Sequence, residues 1–167
     1  MAYEEAGYKV VLKGENFEIR YYEERIVIQT RYDSGNSGFR KLFNYISGQN
    51  QGEKKIEMTT PVTEVQDDNQ MVMQFYLPAR FNSSSAPLPA DNSLEIATID
   101  AGYFAVIQYS GFASNKNFYK HAQILKSSLD RDNIKISSQP IKATYNGPFT
   151  LPNLRRNEAM YLVLWDN

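Results

Sequence analysis

"EKKIEMTTPVTEV" (Glu53–Val65) alternates charged and apolar side chains, then breaks into Met58-Thr59-Thr60-Pro61-Val62. Alternation with period two is the pattern of a half-buried strand, because successive side chains point to opposite faces. A proline in such a run removes a ladder donor, which places Pro61 at a strand edge or a bulge. Thr59 and Thr60 can satisfy nearby backbone groups with their hydroxyls, and Met58 is expected to face the interior. Beyond "QDDNQ" (66–70), "QMVMQFYL" (70–77) returns to period two, so the two runs read as a hairpin.

Upstream, "FRKLFNYISG" (39–48) changes period. Phe39, Leu42, Phe43 and Ile46 fall at i, i+3, i+4 and i+7, which gives one apolar helix face, and Gly48 is placed to end it. Before it, "ENFEIRYYEERIVIQTRY" (15–32) holds two β-prone runs separated by Glu23-Glu24-Arg25, followed by the turn-forming loop "DSGNSG" (33–38). Downstream, "PARFNSSSAPLPADNS" (78–93) reads as a connector, rich in proline and serine. The pattern then restarts. "LEIATIDAGYFAVIQYSG" (94–111) gives two more strands, "NKNFYKHAQILKSSL" (115–129) a helix with Phe118, Ala122, Leu125 and Leu129 on one face, and "NIKISSQPIKATYN" (133–146) and "EAMYLVLW" (158–165) the last strands.

At a constant offset of 79, Ile28, Gln29, Asn36, Phe39, Lys41 and Pro61 meet Ile107, Gln108, Asn115, Phe118, Lys120 and Pro140. Each pair falls in the same kind of element, and both halves read strand–strand–helix–strand–strand, the signature of a duplicated unit. The expectation is one α+β domain over residues 1–167, with a first repeat at about 15–77, the connector at 78–93 and a second repeat at about 94–165.

Composition narrows the chemistry. With 167 residues, 42% hydrophobic and 22% charged, the chain can bury a core. Net charge is −1 and the Lys and Arg are scattered along the chain, so no nucleic-acid partner is expected. No apolar run has the length of a membrane span. With no Cys, and acidic residues in "MAYEEAGYKVVL" (1–12) where a secretory signal needs positive charge, a reduced, cytoplasmic setting is expected. The chain lacks GxGxxG and Walker patterns and any local nucleophile motif, so it is not read as an enzyme.

The lone histidine, His121, sits at the margin of the second helix's apolar stripe, where the repeat aligns it with Leu42. It reads as a packing residue before it reads as an axial ligand or base. Adjacent acids (Glu4-Glu5, Glu23-Glu24, Asp67-Asp68) point to opposite strand faces and read as solvated charges. Met58, Met71 and Met73, on two neighbouring strands, suit an adaptable core or a soft lining for a flat apolar ligand. In "YNGPFTLPNLRRNE" (145–158), prolines fix an extended loop, and Arg155 and Arg156 are placed to fork onto carboxylates and loop carbonyls; one Arg holding a ligand carboxylate is the second choice.

"KKIEMTTPV" (54–62) together with "ATYNGPFTLPNLRRNE" (143–158) resembles the two signature segments of the SOUL haem-binding protein family. "FRKLFNYISGQN" (39–50) resembles its first helix and turn, and "APLPADNSLEI" (86–96) its connector, so the resemblance runs from about Tyr8 to Trp165. It implies a pseudo-twofold, twisted antiparallel β-barrel flanked by two helices. It also implies non-catalytic binding or carriage of haem or another tetrapyrrole in a shallow apolar groove between the first helix and the loop before "RRNE". Carried over, the cofactor-binding positions are Asn36, Phe39, Leu42, Phe43, Asn44 and Asn153, with no metal ligand and a small-molecule tetrapyrrole as partner. Asn36 and Asn44 stand where the resemblance implies basic residues; amides can hydrogen-bond a propionate but bring no opposite charge. The alternative from another class is a protein–protein interaction domain, or a sensor of small amphipathic molecules, with no haem role.

Overall fold

The computed structural model describes residues 3–33 and 37–166, which form two compact units, one from residues 3–6 and 24–100, the other from 7–23 and 101–166. Each unit is an antiparallel sheet with one helix packed on it, so the chain is α+β.

In the first unit, β4 (Arg25–Tyr32) is flanked by β7 (Gln70–Tyr76) and β8 (Leu94–Ile99), and β6 (Val62–Asp67) extends the sheet beyond β7. The hairpin read from the sequence is present: Asp67 pairs with Gln70, and Asp68 turns the chain with φ 55°. Two short strands, β1 (Glu4–Glu5) and β5 (Thr59–Thr60), pair in parallel. Helix α1 (Ser37–Ile46) packs on β4 and β7. Gly38 permits the approach, since a Cβ there would lie 3.2 Å from the Tyr32 ring. Gly48 ends the helix as expected, at φ 123°, a backbone conformation that side-chain-bearing residues rarely adopt.

The decisive stretch departs from its sequence reading in one respect: only Thr59–Thr60 and Val62 onward are strand. Residues 53–58 bond elsewhere. Asn50, buried, donates to the carbonyls of Tyr45 and Lys54 and accepts from the Lys54 N–H, and the Ile56 N–H donates to the Ile46 carbonyl at 2.8 Å. Ile56 thereby enters the core beneath α1. Met58 packs on that core only partly, while Pro61, buried and following a cis peptide bond, separates β5 from β6 as an edge break. The connector is a packed element: Ala86 is buried, the Tyr45 hydroxyl donates to the Pro87 carbonyl at 2.5 Å, and the Gln51 N–H donates to the Leu88 carbonyl.

In the second unit the strand order is β2 (Tyr8–Lys13), β3 (Glu18–Tyr22), β9 (Gly102–Tyr109) and β12 (Asn157–Leu164). Along the far edge of β12 lie β11 (Ile141–Thr144) and β10 (Lys135–Ile136). Helix α2 (Asn115–Arg131) starts from Ser114, whose hydroxyl accepts the Asn117 N–H, and buries Phe118, Ala122, Leu125 and Leu129, the face read from the sequence. Strand β2 was not singled out in the sequence. Among the described residues no helix is long and apolar enough to cross a membrane.

Candidate functional site

Helix α1 splits the apolar set that its spacing predicts. Leu42, Tyr45 and Ile46 point into the core of the first unit. Phe39 and Phe43, one turn apart on the flank, remain 41% and 49% exposed. Their rings are nearly parallel, at 12° with centroids 6.2 Å apart, and Phe39 also meets the edge of Phe75 on β7 at 5.1 Å. An exposed aromatic pair braced by a core ring is a preorganised apolar face, since neither ring need reorient to meet a flat partner.

The other site positions separate. Leu42 has no exposed surface, so it supports the helix from below and offers nothing for a ligand to touch, a correction to its expected contact role. Asn44 is half-buried, and its carbonyl accepts the Gln49 N–H at 3.0 Å where the helix closes. Asn36 lies outside the described residues. Asn153 belongs to the second unit, exposed on the short 3-10 turn Pro152–Leu154. Two cations accompany the aromatic pair on α1: Arg40 is exposed, and the Lys41 ammonium donates to the Ser93 hydroxyl at 3.1 Å. Their places on the helix follow from its period.

Does α1 offer an iron ligand? Its Tyr45 hydroxyl is buried and committed to Pro87, and burial pushes its pKa up to about 12. His121 lies in the second unit and stacks on Tyr109 at 4.0 Å and 4°, with its Nδ1 donating to the Asn117 carbonyl at 2.8 Å. It is half-buried, the packing role its alignment with Leu42 suggested. Among the described residues, no three His, Cys, Asp or Glu side chains converge as a metal cluster would.

A hollow of about 150 Å³ opens beside Arg25, Tyr76 and Phe81, smaller than the several hundred Å³ usual for drug-sized ligands.

The "RRNE" segment is architectural. Glu158, fully buried on β12, accepts both ends of the Arg20 fork at 2.8 and 2.9 Å, the Tyr145 hydroxyl at 2.6 Å and Arg156 Nε at 3.1 Å. Burial alone would lower the Arg20 pKa, but the bonds and charge of Glu158 outweigh it and hold the guanidinium above its ordinary value. Burial, aided by Glu158, likewise raises Tyr145 far above the usual tyrosine range. Arg155 donates to the carbonyls of Gly147 and Asn146, and the Arg156 N–H to the Asn146 side chain, so the arginines fix the loop as their sequence context implied. Both are spent on structure.

Comparison with known proteins identifies the family. Residues 3–162 match the SOUL heme-binding protein family. The chain is 28% identical to the human "Heme-binding protein 2", covering 89% of this chain and 78% of that one. It is 27% identical to the Xenopus laevis "Heme-binding protein 1", covering 92% and 89%. Among solved structures, the EcmrR C-terminal domain superposes with a TM-score of 0.63 at 16% identity, covering 94% of this chain and 98% of that one, a likeness of fold alone. The signature segments, the α+β architecture and this match over almost the whole chain together place the protein in the SOUL heme-binding protein family.

Proposed function

We propose that this chain binds a tetrapyrrole, haem or its iron-free counterpart, without catalysing a reaction on it, and that the α1 flank is where the macrocycle rests. The observation that carries this is the exposed, nearly parallel Phe39–Phe43 pair braced by Phe75. A planar apolar ligand removes both rings from water at once, at roughly 25 cal/mol per Å² of apolar surface. Arg40 supplies a cation beside the rings for a propionate, the part Asn44 plays only as an amide. The family and the names of the relatives support the ligand class.

When bound, haem would bring redox-active iron; the Tyr45 hydroxyl of α1 is already committed to Pro87, so recognition is assigned to the macrocycle. Haemin and iron-free protoporphyrin are therefore expected to bind with affinities within a few fold of each other. Phe39→Ala with Phe43→Ala should weaken both by about tenfold or more, whereas His121→Ala should leave both unchanged. Equilibrium titration followed by Soret absorbance and porphyrin fluorescence checks all three expectations. Binding that needs iron, or that fails with His121→Ala, would sink the proposal. A flat titration with both ligands would return the aromatic pair to the alternative role of a protein-contact surface.

A further inference from the structure

The net charge of −1 conceals a strong division. The first unit carries seven Lys and Arg against twelve Asp and Glu, a net −5; the second carries eleven against seven, a net +4. Within the second unit the cations fall where acids are missing: no Asp or Glu occurs from 101 to 129 or from 133 to 157. Those stretches hold the two loops that display this unit's most exposed apolar side chains.

The loop before β12 presents Phe149, 97% exposed, together with exposed Leu151 and Leu154. The loop before α2 presents exposed Phe112. The Gly111 N–H donates to the Pro152 carbonyl at 2.8 Å, and the Asn157 side-chain amide donates to the Gly111 carbonyl at 3.0 Å, tying the two loops together. Arg155 clamps the base of the first loop, and Asn117 holds the second through the Phe112 carbonyl at 3.0 Å. The bracing holds several large apolar groups together in water, as a contiguous interaction patch does. Lys142, which donates to Asn115 at 3.1 Å, and Lys116 lie at the foot of the Phe112 loop.

We infer that this end of the second unit docks peripherally on an anionic phospholipid surface, Phe149 and its neighbours entering the acyl boundary while Lys116 and Lys142 face the headgroups. Such a surface rewards both observed features together: exposed aliphatic and aromatic tips, and a cationic collar with no carboxylate in either loop. Nucleic acid would use the charge and leave Leu151 and Leu154 without a role.

The full-length chain, with no porphyrin present, is sedimented with vesicles of pure phosphatidylcholine and with vesicles containing about 30% phosphatidylserine. Binding to the phosphatidylserine vesicles is expected, reduced about tenfold or more by Phe149→Asp with Leu154→Asp and by Lys116→Glu with Lys142→Glu. Phe149→Trp should show a blue-shifted emission increment over the wild type when those vesicles are added. Phe39→Ala with Phe43→Ala, which tests the α1 proposal, should bind vesicles as the wild type does. Phe149, Leu154 and Lys116 are exposed and Lys142 is half-buried, so circular dichroism checks that each variant folds. No sedimentation with either vesicle, equal binding by the loop variant, or an unshifted Phe149→Trp emission would each overturn the inference; loss in the charge variant alone would reduce it to electrostatic adsorption and overturn insertion.

Discussion

Glu158 shows how far a single side chain can be committed to structure. It has no exposed surface and gathers Arg20, Tyr145 and Arg156, with Arg20 held in turn by Glu18 at 2.8 Å and stacked over the Tyr8 ring. Removing one partner of such a buried pair strands the other charge, so Glu158→Gln should cost roughly 3–5 kcal/mol in urea denaturation. A loss below about 1 kcal/mol would mean that the pair is far more solvated than its burial indicates. Tyr109 is the converse: its buried hydroxyl finds no hydrogen-bond partner among the described residues, and burial raises its pKa to about 12. A folded-state value above the unfolded one near 10 keeps the proton on the native chain after the unfolded chain has lost it. That stabilising contribution is complete below about pH 10 and fades toward pH 12, by roughly 2–3 kcal/mol. Tyr45, also raised to about 12, adds a fall of the same sign. Tyr109→Phe should be neutral or slightly stabilising at pH 7 and should flatten part of the alkaline decline, read from thermal melts between pH 8 and 11.

At the scale of elements, α1 carries two duties on adjacent faces. Leu42, Tyr45 and Ile46 hold it to the sheet, while Phe39 and Phe43 stand at its flank. Leu42→Ala should cost about 2–5 kcal/mol, because the fully buried site collapses poorly. Gly48→Ala should cost roughly 1–3 kcal/mol through backbone strain alone. Both are checked by chemical denaturation, and porphyrin titration of the folded fraction should show Leu42→Ala weakening binding only as far as it loosens the helix. The helix, its period and its stop could be read from residues 39–48, since periodicity and glycine act locally. Which of the apolar four would stay wet could not, because the exposure of Phe39 is set by Phe75, 36 positions away in sequence. The same limit explains residues 53–58, where Asn50 captures the backbone of a stretch whose alternation reads as strand.

For the whole molecule, each unit repeats one order of strands around its helix: β6, β7, β4, β8 in one and β11, β12, β9, β3 in the other. We propose that this likeness reflects an internal duplication, supported by the identities at offset 79 and by Pro61 and Pro140 falling beside equivalent strands. Each unit takes one strand from the other sequence repeat, β8 in the first and β3 in the second. The charge division follows these units and not the linear halves, which is why the cations look scattered along the chain. Despite a pI near 5.9, the protein should be retained on a cation-exchange matrix at pH 7 and low salt. Lys116→Glu with Lys142→Glu should elute it earlier; an unchanged elution position would show that those lysines do not act at one surface.

By itself the sequence determined the family, the α+β class, the period and stop of α1, the buried face of α2 and the structural use of Arg155 and Arg156. These depend on local periodicity, turn chemistry and motifs that neighbouring residues carry together. Only the tertiary structure decided that Leu42 is sealed while Phe39 and Phe43 are open, that Glu158 draws in Arg20 from 138 positions away, and that the second unit gathers a net charge of +4. Exposure and charge environment are sums over residues brought together from distant parts of the chain, and no single stretch contains all the terms.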